Sequence, residues 1–434
     1  MTEQVFRITH TQLNSVTSLL AGHRDSHLAI VECGAGHASW PSGIERKSWS
    51  AHRIRESAIL AEELLMMSVE KPVCIISLEI AFLKRVAFHH EQVLWGFLSG
   101  TGLQVFTYHD GSLVPIEVCS VIDHDLYFRF HGQDPMLEES TDSELYERTA
   151  QAFGKGTTHY LSQLTVGVAG VSGTGSIIAE QLMRLGVKRL ILVDDDVVEV
   201  RNLGRILNST QADADRQVNK AIMMQKAYSA VGLGTEVIAL PTVILTEDTV
   251  HSLSQCDVLF GCLDSIDGRM HLNQISTFYS IPYIDLGVTL KASAGKIKEI
   301  NGSIRFVMPG GSSLLSRHAY SLEQLASAAL RREDPVAYKA RLDEKYIEGA
   351  QESSPAVICV NMNVASLAIM EFLNRIHPFM DTPNSEVETI YVNLVDLYFP
   401  TPTPPSEPDT SLIPYLGGGD CRPLLNLPII EARK

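Results

Sequence analysis

Apolar residues follow two kinds of spacing along this chain. Between residues 164 and 400, short apolar runs alternate with segments in which apolar positions recur every three to four residues. The short runs are typical of buried strands, and the longer periodicity indicates helices. Such alternation predicts an α/β fold with a mainly parallel sheet flanked by helices. The predicted elements occupy residues 164–169, 177–185, 190–193, 220–231, 236–240, 258–261, 270–279 and 283–286.

The first 131 residues have a different pattern, which predicts a small α+β accessory domain. Strands are expected at 27–31 and 73–76, and a hairpin is expected around the Asp110-Gly111 turn. A strand followed by a helix is expected within 6–20, and a helix over 53–67. An acidic linker (132–147) precedes the predicted second domain (148–400), which includes a helix-rich insertion (321–349) and a further helix (359–374). A proline- and glycine-rich tail (401–434) follows.

Composition restricts the classes of function. The chain has 434 residues, a net charge of −16 and 45% apolar residues, which indicates globular domains with a large core. The negative charge argues against a nucleic-acid partner. No apolar run approaches the ~20 residues of a membrane span, and no secretion signal is recognisable. Seven scattered cysteines without CxxC spacing are typical of reduced thiols, so we expect a cytoplasmic protein.

The segment 166–205 points to a nucleotide. A strand leads into a turn containing Gly170, Gly173 and Gly175, and a helix follows. This arrangement directs backbone N–H groups at a phosphate, and Asp194 at the end of the next strand is placed for ribose hydroxyls. The fold is therefore expected to be Rossmann-like. The glycine spacing is G-x-x-G-x-G, with Ser172 where a dinucleotide fingerprint has glycine.

Residues further along the chain make the pattern specific. Asn202 and Arg205 follow the second strand, Lys220 begins a later helix, and Asp264 follows the strand at 258–261. Arg269 and Asn273 come shortly afterwards. Over residues 145 to 400, this set resembles the adenylation domain of the ubiquitin-activating superfamily, the ThiF- and MoeB-like proteins, which includes bacterial enzymes that adenylate sulfur-carrier proteins.

The resemblance implies attack of a C-terminal carboxylate on the α-phosphate of ATP, with release of pyrophosphate. Catalysis of that kind depends on positioning and on electrostatic stabilisation. By similarity, the three glycines admit the nucleotide and Asp194 binds the ribose. Asn202, Arg205 and Lys220 would contact the triphosphate, and Asp264 would be the ligand of Mg²⁺. Asp196 is a further candidate for nucleotide binding, although it and Asp195 can equally cap the following turn.

The Tyr146-Glu147-Arg148 segment suggests a dimer. In this superfamily, a Tyr-x-Arg before the first strand supplies an arginine to the ATP site of the partner subunit. Arg148 is therefore expected to act in trans in a homodimer. The alternative is an ordinary linker arginine.

The sequence departs from the family pattern at its cysteines. Many relatives hold zinc with two CxxC pairs, but this chain has Ser313-Leu314-Leu315-Ser316 at the first place and a single cysteine, Cys421, near the second. Serine is a poor zinc ligand, so no zinc is expected. Cys421, in a glycine-rich tail beside Arg422, is the predicted thioester acceptor, the alternative being a stray tail thiol. Cys256, Cys262 and Cys359 are expected to be core residues.

The N-terminal part faintly resembles JAB-type metalloprotease domains. It lacks the His-x-His that those enzymes need, because His89 and His90 are adjacent. An inactive docking domain is therefore expected. The whole-chain organisation resembles the activating enzyme of bacterial ubiquitin-like conjugation operons, including the antiviral BIL type. This resemblance implies a ubiquitin-like protein and a conjugating enzyme as partners.

Three alternatives stay open at this point. The first is adenylation of a sulfur carrier or a small carboxylate without a thioester step, because an obvious catalytic cysteine is lacking. The second is a nicotinamide oxidoreductase, which Ser172 and the basic pair Arg205 and Lys220 disfavour. The third is a non-catalytic scaffold.

Overall fold

The structure is a computed structural model. It describes residues 5–9, 12–14, 27–32, 50–55, 73–77, 93–99, 102–116, 118–133, 144–293, 295–334, 357–420 and 423–427, together with residues 83, 87, 336, 338 and 430. Cys421, Arg422, His89, His90 and most of the predicted insertion beyond Asp334 lie outside the described residues.

Nine strands in the N-terminal part form two sheets. They are β1 (Val5–Thr9), β2 (His27–Glu32), β3 (Ser50–Arg55), β4 (Val73–Ser77), β5 (Val93–Ser99), β6 (Gly102–His109), β7 (Ser112–Pro115), β8 (Val118–Ile122) and β9 (Leu126–Phe130). The larger sheet has the order β3-β2-β4-β5-β6-β7 and the smaller one β1-β8-β9. The predicted hairpin is confirmed: Asp110 and Gly111 both have positive φ, as a tight turn between antiparallel strands requires.

The helix predicted over 53–67 is wrong at its start. Ser50–Arg55 is strand β3, which pairs antiparallel with β2. Ile54 lies opposite Leu28 in this pairing, so the backbone here is extended and not helical. Residues 56–67 lie outside the described residues.

The second part contains a seven-stranded sheet flanked by helices, which confirms the predicted α/β, Rossmann-like fold. Its helices are α1 (Glu147–Leu161), α2 (Gly175–Leu185), α3 (Gln211–Asp215), α4 (Lys220–Val231), α5 (Glu247–Ser254), α6 (Ile266–Tyr279), α7 (Leu322–Glu333) and α8 (Ile358–Ile376). Its strands are β10 (Thr165–Ala169), β11 (Arg189–Val193), β12 (Glu236–Leu240), β13 (Val258–Gly261), β14 (Tyr283–Ser293), β15 (Lys296–Val307) and β16 (Thr389–Asn393). Their order is β12-β11-β10-β13-β14-β15-β16.

Strands β10 to β14 are parallel, and β15 and β16 extend the sheet antiparallel. From β10 the chain proceeds first to β11 and β12 on one side, and later to β13 and β14 on the other. The direction of winding therefore changes between β10 and β13. In open α/β sheets, ligands bind at the carboxyl ends of the strands at such a point. Here those ends are Ala169 of β10 and Gly261 of β13, with Val193 of β11 beside them.

Buried contacts join the small N-terminal sheet to the second part. Phe128 and Phe130 of β9 pack on Tyr160 of α1, within the same hydrophobic cluster as the centre of the seven-stranded sheet. The Tyr160 hydroxyl donates to the carbonyl of Leu126 and accepts from the N–H of Phe128. From β1, the Arg7 guanidinium donates to backbone carbonyls at the C-terminal ends of α5 and α6. Cationic groups are favoured at helix C-termini.

The acidic segment predicted as a linker ends inside regular structure. Residues 144–146 form a 3₁₀ turn, and Glu147 is the first residue of α1. Among the described helices, none combines the length and the apolar character needed to cross a lipid bilayer.

Candidate nucleotide-binding site

The glycine turn after β10 is built by close approach of backbone to backbone. Gly170 has φ +82°, and a Cβ at this position would lie 2.7 Å from the carbonyl oxygen of Cys262. The N–H of Gly170 donates to the carbonyl of Val193, and the N–H of Cys262 donates to the carbonyl of Ala169. These bonds hold the turn between β11 and β13. Helix α2 begins at Gly175, so the positive end of its dipole lies at the turn, although the N–H groups of Ser176 and Ile177 already donate to the carbonyls of Ser172 and Thr174.

Asp194 lies at the end of β11 and is only 8% exposed. One carboxylate oxygen accepts the N–H of Val171 in the glycine turn at 2.8 Å, and the other accepts the N–H of Asp196 at 3.0 Å. Burial raises the pKa of this carboxyl, while Lys220 and the two backbone N–H groups oppose that rise in part. Asp194 therefore fixes the glycine turn in addition to any contact that it makes with a ribose.

Lys220 is the buried cation of the site. It is 5% exposed and begins α4, where Asn219 caps the helix through hydrogen bonds to the N–H groups of Ala221 and Ile222. Its Nζ lies 2.6 Å from Asp196 and 3.7 Å from Asp194. The Asp196 side chain is largely exposed. The arrangement therefore leaves a cation near the surface of the crevice, held by one carboxylate that solvent or a ligand can reach.

Asn202 and Arg205 lie on the short turn after β11. Asn202 is buried, its side-chain oxygen accepts the N–H of Glu199, and its carbonyl accepts the N–H of Arg205. Asn202 thus holds this turn together. The Arg205 Cδ lies 3.5 Å from the position that a Cβ would occupy on Gly173. Arg205 is half-buried, and the described residues offer its guanidinium no ion pair, so it is available to an anion beside the glycine turn.

Asp264 is exposed on the loop after β13, at the same edge of the sheet. Among the described residues, no three His, Cys, Asp or Glu side chains converge to form a preformed metal site. This is compatible with Mg²⁺, which commonly takes one or two carboxylates and completes its shell with substrate phosphates and water. The role of Asp264 as a magnesium ligand stays a prediction.

Two polar residues at the centre of the site escaped the sequence analysis. Asp285 of β14 is fully buried and binds Arg269, Arg305 and the hydroxyl of Tyr283. Asn361 of α8 is 3% exposed, and its amide lies against Gly173. The available signal was a polar residue inside an apolar segment. For Asp285 the segment is Tyr283-Ile284-Asp285-Leu286, and for Asn361 it is Val360-Asn361-Met362, with a second asparagine at 363.

Residues 146–409 match the model of the ThiF family. The chain belongs to the ThiF family. It is 27% identical over 192 residues to ubiquitin-like modifier-activating enzyme 5 of Drosophila willistoni, which covers 42% of this chain and 46% of that protein. It is 28% identical over 189 residues to the Bombyx mori protein of the same name, with 41% and 46% covered. The chain thus spans about half of the length of the curated relatives that it matches.

Similarity to solved structures is more distant. The structure of E. coli MccB with ATP aligns with a TM-score of 0.46 and 17% identity, covering 62% of this chain and 74% of that one. The structure of PaaA aligns with a TM-score of 0.43 and 18% identity, covering 64% and 88%.

Arg148 lies far from the glycine turn of its own chain. It is exposed on the first turn of α1 and donates to Gln151. Tyr146, two residues earlier, packs on Gly186 at the C-terminal end of α2. The glycine turn lies at the opposite end of this 11-residue helix, about 16 Å away. The ThiF domain therefore does not bring Arg148 to its own site.

The prediction that Cys359 is a core residue is wrong. Cys359 is exposed in the first turn of α8, although its sequence neighbours are apolar. At 100° per residue it shares the outer face of α8 with Met362 and Ser366, while Val360 and Val364 face inward. Cys256 is buried and Cys262 half-buried, as expected, and burial raises the pKa of both thiols.

Cys421 itself lies outside the described residues, but its neighbour Asp420 is described and forms defined contacts. Asp420 accepts a hydrogen bond from Tyr279 at 2.5 Å, at the C-terminal end of α6. The tail backbone is held nearby, because Gly417 and Gly419 donate to the carbonyls of Thr277 and Phe278. Asp264 directly precedes the other end of this 14-residue helix, about 20 Å away. Asp420 and Asp264, the predicted magnesium ligand, thus lie at opposite ends of α6.

Where many ThiF relatives have their first CxxC pair, this chain forms a hydrogen-bonded serine turn. The N–H of Ser313 donates to the Ser316 hydroxyl at 2.9 Å, and the N–H of Ser316 donates to the Ser313 hydroxyl at 3.0 Å. The Ser313 hydroxyl also donates to Asp409. These side chains fasten the segment that leads into the tail.

Proposed function

We propose that the chain adenylates the C-terminal carboxylate of a ubiquitin-like protein with ATP and Mg²⁺. The observation that carries this proposal is the buried Lys220, held between Asp194 and Asp196 beside the glycine turn. Membership of the ThiF family and the relatedness to ubiquitin-like modifier-activating enzyme 5 support the same activity.

The site residues suit this reaction. A carboxylate oxygen forms a bond to the α-phosphorus, the bond from that phosphorus to the bridging oxygen breaks, and pyrophosphate leaves with the electron pair. Charge accumulates on phosphate oxygens, so fixed cations and N–H donors stabilise the transition state. Lys220, Arg205 and the start of α2 supply them. Mg²⁺, when bound through Asp264, would neutralise phosphate charge.

Two of the other hypotheses, a nicotinamide oxidoreductase and a non-catalytic scaffold, fit the site less well. In a nicotinamide oxidoreductase, the carboxylate after the second strand binds ribose, and no buried lysine is needed beside it. Lys220 is 5% exposed and therefore desolvated, which is costly unless an anion partner is present. Asp194 and Asp196 already supply that partner, so ATP–pyrophosphate exchange separates an enzyme from a scaffold.

Several finer parts of the proposal rest on the resemblances. We propose that the activated protein passes to Cys421 as a thioester and then to a conjugating enzyme. Arg148 would complete the site of the partner subunit in a homodimer, and the N-terminal part would serve for docking. The organisation of the chain supports a cytoplasmic role in a bacterial conjugation pathway of the antiphage type.

A second candidate is adenylation without a thioester, with a sulfur carrier or a small carboxylate as substrate. The position of Asp420 favours it, because the residue beside Cys421 is held about 20 Å from Asp264. An acceptor thiol must meet the adenylate, so the thioester route requires the tail to be released.

ATP–pyrophosphate exchange tests the proposed function. The purified chain is assayed with Mg²⁺, ATP and any ubiquitin-like protein encoded beside it, and Asp264→Ala is compared with Asp248→Ala, an exposed carboxylate of α5. Exchange that requires the partner protein and Asp264 supports adenylation. Partner-independent exchange with a small carboxylate supports the second candidate, and ATP binding without any exchange contradicts both.

A further inference from the structure

We propose that Asn361 and the first turn of α8 form a second set of donors that binds an oxygen of the reacting α-phosphate. This inference rests on the proposed function and assigns one more catalytic residue to the same site. It concerns the side of the crevice that faces Lys220 across the glycine turn.

The position of the Asn361 amide is the central observation. A Cβ on Gly173 would collide with this amide, and it would lie 3.5 Å from the Cδ of Arg205. The amide of α8, the side chain of Arg205 and the backbone of the glycine turn therefore meet around one point. Glycine is required at 173 because any side chain would occupy the place where they meet.

The amide of Asn361 forms no hydrogen bond with the described residues, although the residue is only 3% exposed. Around it, the inner face of α8 is apolar and is formed by Val360, Val364 and Ala365. An amide that is nearly buried and has no partner within the described residues is available to donate to a ligand in the crevice. A ligand in the crevice supplies the missing partner.

The start of α8 adds N–H donors at the same place. The N-cap residue of this 19-residue helix, Val357, forms no capping hydrogen bond through its side chain, and its carbonyl accepts the N–H groups of Val360 and Asn361. The N–H groups of Ile358 and Cys359 are therefore the donors that the first turn offers to a ligand. Helix α2 also begins at the glycine turn. Two helix N-termini thus approach Gly173, and both favour an anion through their dipoles.

The α-phosphate is the anion that this arrangement fits. Lys220 and Asp196 lie beside the end of β11, whereas Asn361 and Arg205 both lie beside the place that a Cβ of Gly173 would occupy. When the carboxylate attacks, negative charge moves onto the non-bridging oxygens of the α-phosphate. A neutral amide donor that is already fixed in a desolvated position stabilises this charge without reorganisation.

The test compares Asn361→Ala with Asn363→Ala, which removes the same amide from the exposed face of the same helix. Partner-dependent exchange is measured with the full chain, together with thermal unfolding. We expect Asn361→Ala to lower kcat about 100-fold, with little change in the KM for ATP and no decrease in Tm. Asn363→Ala should equal the wild type. A wild-type kcat for Asn361→Ala, or an activity loss that a lower Tm accompanies, overturns the inference.

A binding measurement separates this inference from the proposed function. Calorimetry with a non-hydrolysable ATP analogue and Mg²⁺ is applied to the wild type, Asn361→Asp and Asn363→Asp. A new carboxylate against the phosphate should weaken binding at least 10-fold at position 361 only. Absence of exchange in the wild type would refute the proposed function, but the binding measurement would still test whether Asn361 contacts the phosphate. Equal affinities of Asn361→Asp and Asn363→Asp would refute that contact.

Discussion

The ammonium group of Lys220 lies 2.6 Å from a carboxylate oxygen of Asp196. The two residues differ sharply in their surroundings, because the lysine is buried and the aspartate side chain is 70% exposed. Exposed ion pairs contribute little to stability, whereas a buried charge needs a partner. A triphosphate can therefore replace Asp196 as the partner of Lys220 at low cost, which makes the pair suited to ligand exchange.

Lys220→Ala should nearly abolish adenylation. The change removes the buried cation, so we expect kcat/KM for ATP in pyrophosphate exchange to fall at least 100-fold. Lys226→Ala, on the exposed face of the same helix, is the matched control. Thermal unfolding of both variants identifies any loss of fold. Equal kcat/KM values for the two variants would rule out the role assigned to Lys220.

Gly173→Ala should impair the site without unfolding the protein. The added methyl group would push aside the Asn361 amide and come into contact with Arg205, so exchange activity should fall at least 10-fold. Gly204→Ala is the control, because nothing lies within 4 Å of a Cβ there. If both alanine variants retain full activity, close packing at Gly173 has no functional consequence.

The core of the fold was predictable from the sequence, whereas the roles assigned to the site residues stay predictions. Buried parallel strands are nearly continuous apolar runs, so β13 was predicted with its observed bounds, 258–261. Strand β15 was missed because Lys296-Ile297-Lys298-Glu299 lies on an exposed antiparallel hairpin with a mixed pattern. Cys359 and Asn361 show a second limit. Which face of α8 points inward depends on packing against distant elements, and the partner of Asn361, Gly173, lies in another element far back in the chain.

Asp285 should make stability depend on pH in the acid range. Burial alone would raise the pKa of this carboxyl, but Arg269 and Arg305 outweigh it and hold the pKa below its ordinary value. A depressed pKa contributes stability that is fully present above the unfolded value, about pH 4, and is lost as pH falls through the folded value. Removing the charge leaves two buried arginines without their partner.

We therefore expect Asp285→Asn to lower the free energy of unfolding at pH 7 by about 3–5 kcal/mol. The difference in the free energy of unfolding between Asp285→Asn and the wild type should narrow as pH falls below about 4. Urea unfolding at pH 7 and at acid pH measures this, with Asp248→Asn as an exposed control. A difference that stays constant over this range would show that ionised Asp285 does not stabilise the fold.

The thioester step depends on one cysteine in our account. After incubation with ATP and the ubiquitin-like protein, a thiol-labile adduct should form on the wild type and on Cys359→Ser, and be absent from Cys421→Ser. Tyr279→Phe combined with His251→Ala removes both the hydrogen bond and the ion pair to Asp420 and should speed formation of the adduct by loosening the tail. Non-reducing gels with and without added thiol give the readout. An adduct that persists in Cys421→Ser and disappears in Cys359→Ser would reassign the acceptor.

Transfer of label from ATP tests adenylation most directly. The chain, Mg²⁺ and the ubiquitin-like protein are incubated with ATP labelled at either the α- or the γ-phosphate, the reaction is stopped with acid, and label on the ubiquitin-like protein is counted. Adenylation predicts label from the α-phosphate alone, and its loss in Lys220→Ala but not in Lys226→Ala. Label from the γ-phosphate, or α-phosphate label that survives in Lys220→Ala, would contradict the function proposed for this ThiF-family chain.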